Sequence, residues 1–455
     1  MKAPTTPPSP PGNLLGHLTQ VERDPMGFFT DCQRRYGDVV KLRFFLWPAY
    51  LVTHPDHVKQ VLQEKHQQYD KNTVDWKLLK PAVGDSLLTT DGDFWRRQRR
   101  LMQPAFHRQR IAGFAAVMAD EAEAMLARWD AGAADAGAFD VALEMSRVTM
   151  DIVTRCLFGT TVEADASAVA NAVGSINRAF MERGFGPAAL WALLTGRPSR
   201  RIKPHLATLH AVVDRFVATR RLEPDGHDDL LSMLLAARDE ETGEGMDARQ
   251  LRNESLTLFT AGHETTSNAL AWTWYLLARH PDVTDRLYAE LGQVLGGRTP
   301  GFEDLPRLTY TRMVLDESMR LYPPAWATSR NAAVEDELGG YRIPKGGLVL
   351  LSPWITHRRP DLWEDPERFD PERFTPERSA GRARFAHFPF GGGPHLCIGS
   401  AFAMTEATIV LAAAAQRYRL ELVSDAEVVP EPLVTLRPRG GLLMRARRVT
   451  GRAAA

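Results

Sequence analysis

The sequence predicts a mainly α-helical fold with a minor β portion, built as one large domain. Three observations carry this reading. Apolar residues recur at helical spacing through most of the chain. One such stretch runs from Asp247 to the residues before Pro281. Strand-like runs are confined to two short places, and no internal repeat interrupts the pattern.

The elements follow in order. Residues 1–12 are Pro-rich and set apart from a single domain over 13–450. KLRFFLWPAYLVT, 41–53, reads as two strands around a Trp-Pro turn, and GYRIPKGGLVLLS, 340–352, as a second hairpin turning at Pro344 and Gly346-Gly347. Helices fit 111–130, 142–158, 205–221, 282–295, 309–321 and 398–417. The best case begins at Asp247, a plausible N-cap, and places Leu251, Ser255, Leu258, Gly262, Thr265, Ala269 and Leu276 on one side. A helix of roughly 33 residues is about 50 Å long and must cross the whole molecule.

Composition excludes several classes. Hydrophobic residues make up 44% and charged residues 25%, enough apolar material for a large core. Lys plus Arg equals Asp plus Glu, so no overall charge argues for a nucleic-acid partner. Cys32, Cys156 and Cys397 are odd in number and far apart, which is no disulfide framework and fits a reducing cytoplasm. There is no CxxC and no zinc-enzyme His spacing. The start, MKAPTTPPSPPGN, reads as neither a signal peptide nor an anchor. No apolar run reaches the 18 or so residues of a membrane span. The expectation is a soluble, cytoplasmic protein.

Chemistry concentrates in FGGGPHLCIG, Phe390 to Gly399. Its glycines let the backbone turn tightly and approach a flat ligand. The helical run after Cys397 puts the thiol near a helix N-terminus, where free N–H groups favour a thiolate. Such a thiolate is an axial ligand suited to haem iron. His395 is placed to donate to a haem carboxylate. The bland alternative is a buried structural Cys in a Gly-rich loop.

This segment resembles the haem-binding signature of the cytochrome P450 family, with Phe390, Gly391, Gly393, His395, Cys397 and Gly399 on its fixed positions. Many members carry Arg where this chain has His395. Three further motifs resemble the family in order. WRRQRR sets Trp95 and Arg99 four apart on one helical face, as in the pair that family members use on a haem propionate. LFTAGHETT is similar to the oxygen-binding motif: small Ala261 and Gly262 leave room above a haem, Thr265 would bond iron-bound oxygen, and Glu264 would pass protons from solvent. Glu317 and Arg320, with Arg373, match a buried structural cluster. Arg330 is a propionate candidate by position alone. Read without the family, these are a basic helix face, a mid-helix hydroxyl bonding the preceding turn and a surface ion pair.

The resemblance implies the P450 fold around haem b, with Cys397 as ligand. It implies hydroxylation of a hydrophobic small molecule (fatty acid, terpenoid, steroid or polyketide) with O2. The LFTAGHETT helix and DPERFDPERF look like the fatty-acid hydroxylase branch, a hint towards long apolar substrates. About 55 residues follow Cys397, so electrons are expected from a separate ferredoxin or flavodoxin with an NAD(P)H-dependent reductase. Arg96, Arg97 and Arg100 form a candidate docking face for an acidic donor. FGPAALWALL at 185–194 reads as a lid, with Ala325, Trp326, Leu433 and Val434 lining the pocket. Two alternatives stay open: a peroxide-driven or rearranging haem-thiolate enzyme, and a catalytically silent haem or ligand-binding protein.

Overall fold

A computed structural model describes residues 5–133, 137–159, 203–222 and 228–449, with Ala172 and Ser175 besides. The candidate lid at 185–194 lies outside the described residues. Among those described, ten helices have ten residues or more. They are α1 Pro25–Tyr36, α2 Val74–Val83, α3 Gly92–Met102, α4 Arg108–Arg128, α5 Val141–Phe158, α6 Lys203–Leu222, α7 Ala248–Arg279, α8 Pro281–Leu295, α9 Thr309–Leu321 and α10 Ser400–Arg417.

Helix ends follow local chemistry. Asp247 caps α7: its carboxylate accepts the Gln250 N–H at 2.7 Å, and the Gln250 side chain accepts the Asp247 N–H at 3.2 Å, a complete capping box. His280 and Pro281 end α7 and start α8, because Pro suits the first helical position and cannot extend the previous helix. Asp140 caps α5 through the N–H groups of Ala142 and Leu143, and α5 stops at Gly159, whose φ is 64°.

Strands β1 (Val39–Phe44), β2 (Trp47–Val52), β3 (Tyr69–Asp70), β4 (Thr328–Ala332) and β7 (Leu348–Leu351) form a sheet in the order β1-β2-β7-β4-β3. Strands β5 (Asp336–Leu338) and β6 (Tyr341–Ile343) pair separately. Two expectations shift here. The first turn is Phe45-Leu46, with Phe45 at φ 54°, so Trp47 and Pro48 already belong to β2. The second hairpin is β5–β6, not 340–352. Gly339 and Gly340 both have positive φ, as a two-residue hairpin turn requires, while β7 leaves to pair with β2 and β4. The Pro-rich start is also tied down: Lys41 donates to the Pro8 carbonyl at 2.8 Å, and Thr5 pairs with Tyr341.

The main apolar core lies among α4, α5, α7, α9 and α10, around Met118, Trp129, Met145, Leu270, Leu315 and Val410. Its consequence for the site is positional. Twenty of the 32 residues of α7 are buried, and the loop holding Cys397 feeds directly into α10 beside it.

Candidate active site

The loop before α10 is built by two glycines that no other residue replaces easily. Gly391 and Gly393 have φ of 72° and 64°, and a Cβ at 393 would fall 1.9 Å from the Leu62 carbonyl oxygen. The loop closes when the Cys397 N–H donates to the Phe390 carbonyl at 3.0 Å. Phe390 packs against the core, so its backbone is a fixed post for the cysteine. Cys397 is exposed on one side and surrounded by protein elsewhere. That enclosure raises its pKa, while the Gly399 N–H and Arg99 act to lower it.

Near the thiol lie three cations, Arg99, Arg330 and Lys71, whose side chains bond no carboxylate among the described residues. Trp95 on α3 is buried, with its ring 4.0 Å from the His395 ring. Arg99, one helical turn on, donates to the Leu396 carbonyl at 2.8 Å, and its pKa is lowered by burial. Arg330, on β4, is buried, and only Nη1 finds partners among the described residues: the Ser329 carbonyl at 2.7 Å and Thr328 Oγ1 at 3.3 Å. Lys71, just after β3, is buried too. Its ammonium reaches the carbonyls of Leu88 at 2.8 Å and of Leu87 and Thr90 at 3.2 Å. Burial and then Arg330 pull its pKa down to about 7. His395 is pushed down to about 2, first by burial and then by Lys71, Arg330, His66 and Arg99. Its Nε2 is 3.5 Å from Asp91 Oδ1, while its buried Nδ1 has no hydrogen-bond partner among the described residues. Lys71, Arg99 and Arg330, with the neutral His395 ring as a further donor, suit an anion with more than one negative charge in this low dielectric.

Helix α7 carries the second set of motif residues. Ala261 is exposed although its neighbours Phe259 and His263 are buried. Thr265 lies on the same face, and its hydroxyl donates to the Ala261 carbonyl at 2.7 Å. Glu264 accepts from Thr435 Oγ1 at 2.9 Å, and Asn268 donates to that same oxygen at 3.0 Å.

The chain matches the family model described as "Cytochrome P450" over residues 7–445. It belongs to the cytochrome P450 family. It is 40% identical to cyclooctatin synthase of Streptomyces melanosporofaciens, over 93% of this chain and 91% of that one. It is 35% identical to pentalenene oxygenase of Streptomyces avermitilis, over 93% of each. The crystal structure of cytochrome P450DA heme domain superposes with a TM-score of 0.88 at 28% identity, covering 98% of both chains. The chain is thus a P450 monooxygenase, using haem, O2, a substrate and redox partners. No helix among the described residues is long and apolar enough to cross a membrane.

The residues of this P450 fit a haem. His395 Nδ1, which has no partner among the described residues, and Arg99 and Arg330, which have no carboxylate partner there, suit its two carboxylates, and Lys71 adds positive charge nearby. Cys397 and Ala261 are each exposed rather than covered by protein.

Two sequence expectations are corrected. Gly262 does not open space over a haem: a Cβ there would sit 3.0 Å from Val153 Cγ2, so this glycine lets α5 pack closely. Arg96, Arg97 and Arg100 are not a free docking face. Arg96 pairs with Asp93, Arg97 donates to the Gly245 carbonyl at 2.9 Å, and Arg100 binds Asp239 at 3.0 Å and Glu241 at 2.6 Å. Glu317, Arg320 and Arg373 do meet. Arg320 grips Glu317 by two bonds of 2.6 and 2.7 Å, and Arg373 Nε is 3.3 Å from the same carboxylate. Lys71, Asp91 and Thr435 were missed, because each gains its place from tertiary contact and carries no local pattern.

Proposed function

We propose that this P450 uses haem b to hydroxylate a terpenoid-like hydrophobic molecule. The observation that carries the reading is an accessible Cys397 on a Gly-rich loop beside Arg99, with Arg330 and Lys71 around His395 two residues away and no carboxylate bonded to these three side chains among the described residues. Cys397 is the iron ligand. Phe390 fixes its backbone, and the Gly399 N–H holds negative charge on sulfur. Arg99, Arg330 and His395 hold the carboxylates, Lys71 adds positive charge beside them, and Trp95 keeps the His395 ring in place. A bound haem would supply the oxidising chemistry, in which two electrons and two protons send one atom of O2 to water and the other into a substrate C–H bond.

The chain's own residues supply protons and a dry pocket. Thr265 Oγ1 spends its proton on the Ala261 carbonyl, which leaves its lone pairs to accept a hydrogen bond from water beside Ala261. Glu264, steadied by Thr435, is the carboxylate that exchanges protons with that water. Ala325, Trp326, Leu433 and Val434 present apolar surface, joined where the Trp326 indole donates to the Leu433 carbonyl at 2.9 Å. The relatives named for cyclooctatin and pentalenene support a terpenoid over the long-chain substrates suggested by the branch resemblance. A ferredoxin or flavodoxin, fed by an NAD(P)H-dependent reductase, is the donor, and the cytoplasm is the compartment.

The test is spectroscopic. The reduced, CO-bound protein is expected to show the red-shifted Soret band of thiolate ligation, and Cys397→His to lose it while retaining haem. Survival of the band in that variant would remove Cys397 as ligand. Terpenoids are expected to displace iron-bound water; a response confined to fatty acids would return the substrate to the other branch.

A further inference from the structure

The hairpin formed by Pro430–Pro432 and Leu436–Pro438 is fastened to α7 by a ladder of polar side chains. Glu264, Asn268 and Trp272 are four residues apart, so all three lie on one face of the helix. Each reaches the same place. Glu264 accepts from Thr435 Oγ1 at 2.9 Å, Asn268 donates to that oxygen at 3.0 Å, and the Trp272 indole donates to the Leu436 carbonyl at 3.0 Å. Asn268, Trp272, Thr435 and Leu436 are all buried.

The two ends of this ladder differ. Leu436 is pinned on both sides, since its N–H also donates to the Pro324 carbonyl at 2.9 Å. These two backbone bonds fix the hairpin against α7 whatever happens at Glu264. The bond from Thr435 to Glu264 therefore adds a charged contact where attachment does not need one. Its direction is set by chemistry. A carboxylate only accepts, so the single hydroxyl hydrogen of Thr435 points at Glu264 and a lone pair is left for the Asn268 amide. Asn268 thus holds the hydroxyl in the orientation that grips the acid. Immediately before Thr435 stand Leu433 and Val434, half-buried and apolar, at the tip of the turn. Movement of that tip about the pinned Leu436 strains the bond to Glu264 first, because Thr435 lies between tip and pin.

We propose that Thr435, oriented by Asn268, is a positioning residue that ties the proton-exchanging Glu264 to the tip of the hairpin. An apolar molecule seated against Leu433 and Val434 breaks the tie and frees the carboxylate to exchange protons. Proton supply then follows occupancy of the pocket. This rests on the monooxygenase reading for the use of the proton, while the linkage itself is read from binding. A ligand that must break a bond in order to bind gains affinity when that bond is already gone.

The experiment compares Thr435→Val and Thr435→Ser in the haem-loaded protein, with dodecylimidazole and imidazole as the bound probes. Only the first carries an apolar tail. In Thr435→Val, dodecylimidazole is expected to bind about fivefold more tightly, with imidazole unchanged and Thr435→Ser like the parent. A merely structural threonine would give equal or weaker binding, and that result would overturn the proposal. The same substitution in a Glu264→Ala background is expected to change nothing; a gain that persists there would overturn the tie. Should Thr435→Val fail to fold, Asn268→Leu takes its place, with a smaller gain expected and an unchanged affinity equally fatal. Without substrate, NADPH oxidation driven by a plant ferredoxin and its reductase should show a smaller solvent isotope effect in Thr435→Val than in the parent. An equal isotope effect would overturn the release of Glu264. Failure of cedrene, a tricyclic sesquiterpene, to displace iron-bound water in every variant would strike the terpenoid reading alone and leave the imidazole series standing.

Discussion

Two groups of buried charge flank the Cys397 loop, and they are built on opposite rules. In the Glu317–Arg320–Arg373 cluster charge is consumed internally. Glu317 accepts two bonds from Arg320 and one of 2.9 Å from the Asp370 N–H, while Arg320 spends its other hydrogens on the carbonyls of His357, Pro366 and Arg368. Around His395, by contrast, Lys71, Arg99 and Arg330 have only neutral carbonyl or hydroxyl acceptors among the described residues. A buried charge with a carboxylate partner braces a fold. Several of one sign without partners hold a place for something absent from the chain.

Breaking the paired cluster is expected to have the largest effect. Arg320→Leu strands the Glu317 carboxylate in the core and should cost about 3–5 kcal/mol, the usual consequence of halving a buried pair. Denaturant unfolding of the haem-loaded protein measures it. A variant as stable as the parent would mean the cluster does not brace the proximal core.

Removing unpaired cations should act on the cofactor first. Lys71→Met with Arg330→Leu removes one charge-assisted contact, worth about 1.5–3 kcal/mol, and a second positive charge beside it. Haem is then expected to leave far faster in competition with a haem scavenger, with the thiolate Soret band unmoved. Lys71 also predicts a pH signature. Its folded pKa, about 7, lies below the ordinary 10.5, so between those values the unfolded chain binds the additional proton. Stability of haem-free protein should therefore rise with pH across that window, by at most about 1.4 kcal/mol per unit. A bound carboxylate raises the amine's pKa, so the slope should flatten in the loaded protein and disappear in Lys71→Met. An identical slope in all three would show that this amine does not face the cofactor.

The two regions also differ in how they could be read from sequence. The long helix was legible to its capping residue, because Asp247, Gln250 and Pro281 act through contacts a few residues away. So was the Cys397 loop, where glycine spacing carries the backbone conformation. Glu317 and Arg320 sit one turn apart, but their burial was visible only through the family resemblance. Lys71 and Thr435 had no such signal; their neighbours come from β4, α7 and the loop at 84–91, hundreds of residues away in some cases. The misplaced hairpin at 340–352 failed likewise: β7 finds its partners in β2 and β4. Even Gly262 was read for the wrong neighbour, since only the fold brings Val153 against it.

Thr265 tests the rule with a neutral group of smaller expected effect. Its hydroxyl already has the helix carbonyl as partner, which alone would make it a packing residue. Thr265→Ala is expected to keep haem and substrate binding yet raise hydrogen peroxide released per NADPH consumed several-fold, about 1 kcal/mol in partitioning. Glu264→Gln should mainly slow turnover and enlarge the solvent isotope effect. Full coupling in Thr265→Ala would reduce the hydroxyl to its helix bond.

The smallest effect concerns the electron donor, and here the rule reverses the sequence expectation. Arg97 and Arg100 are already engaged, the latter by two carboxylates, so little of their field is left for a partner. Arg384 differs. It is exposed beside a cleft of about 230 Å³ that runs along Pro389, Phe390, Gly391 and Leu396, next to the Cys397 loop, and has no carboxylate partner among the described residues. Rim charges act mainly on association rate and salt dependence. Arg384→Gln should therefore raise the donor KM by about two- to threefold at low salt, a difference that vanishes as screening shortens the reach of charge. Arg97→Gln and Arg100→Gln should leave donor KM within error of the parent, while Arg100→Gln loosens the 239–241 segment that it anchors. A larger KM effect from Arg100→Gln than from Arg384→Gln, with that segment undisturbed by amide exchange, would show that a paired cation still recruits the donor, and the contrast between paired and unpaired charge would no longer separate scaffold from function in this protein.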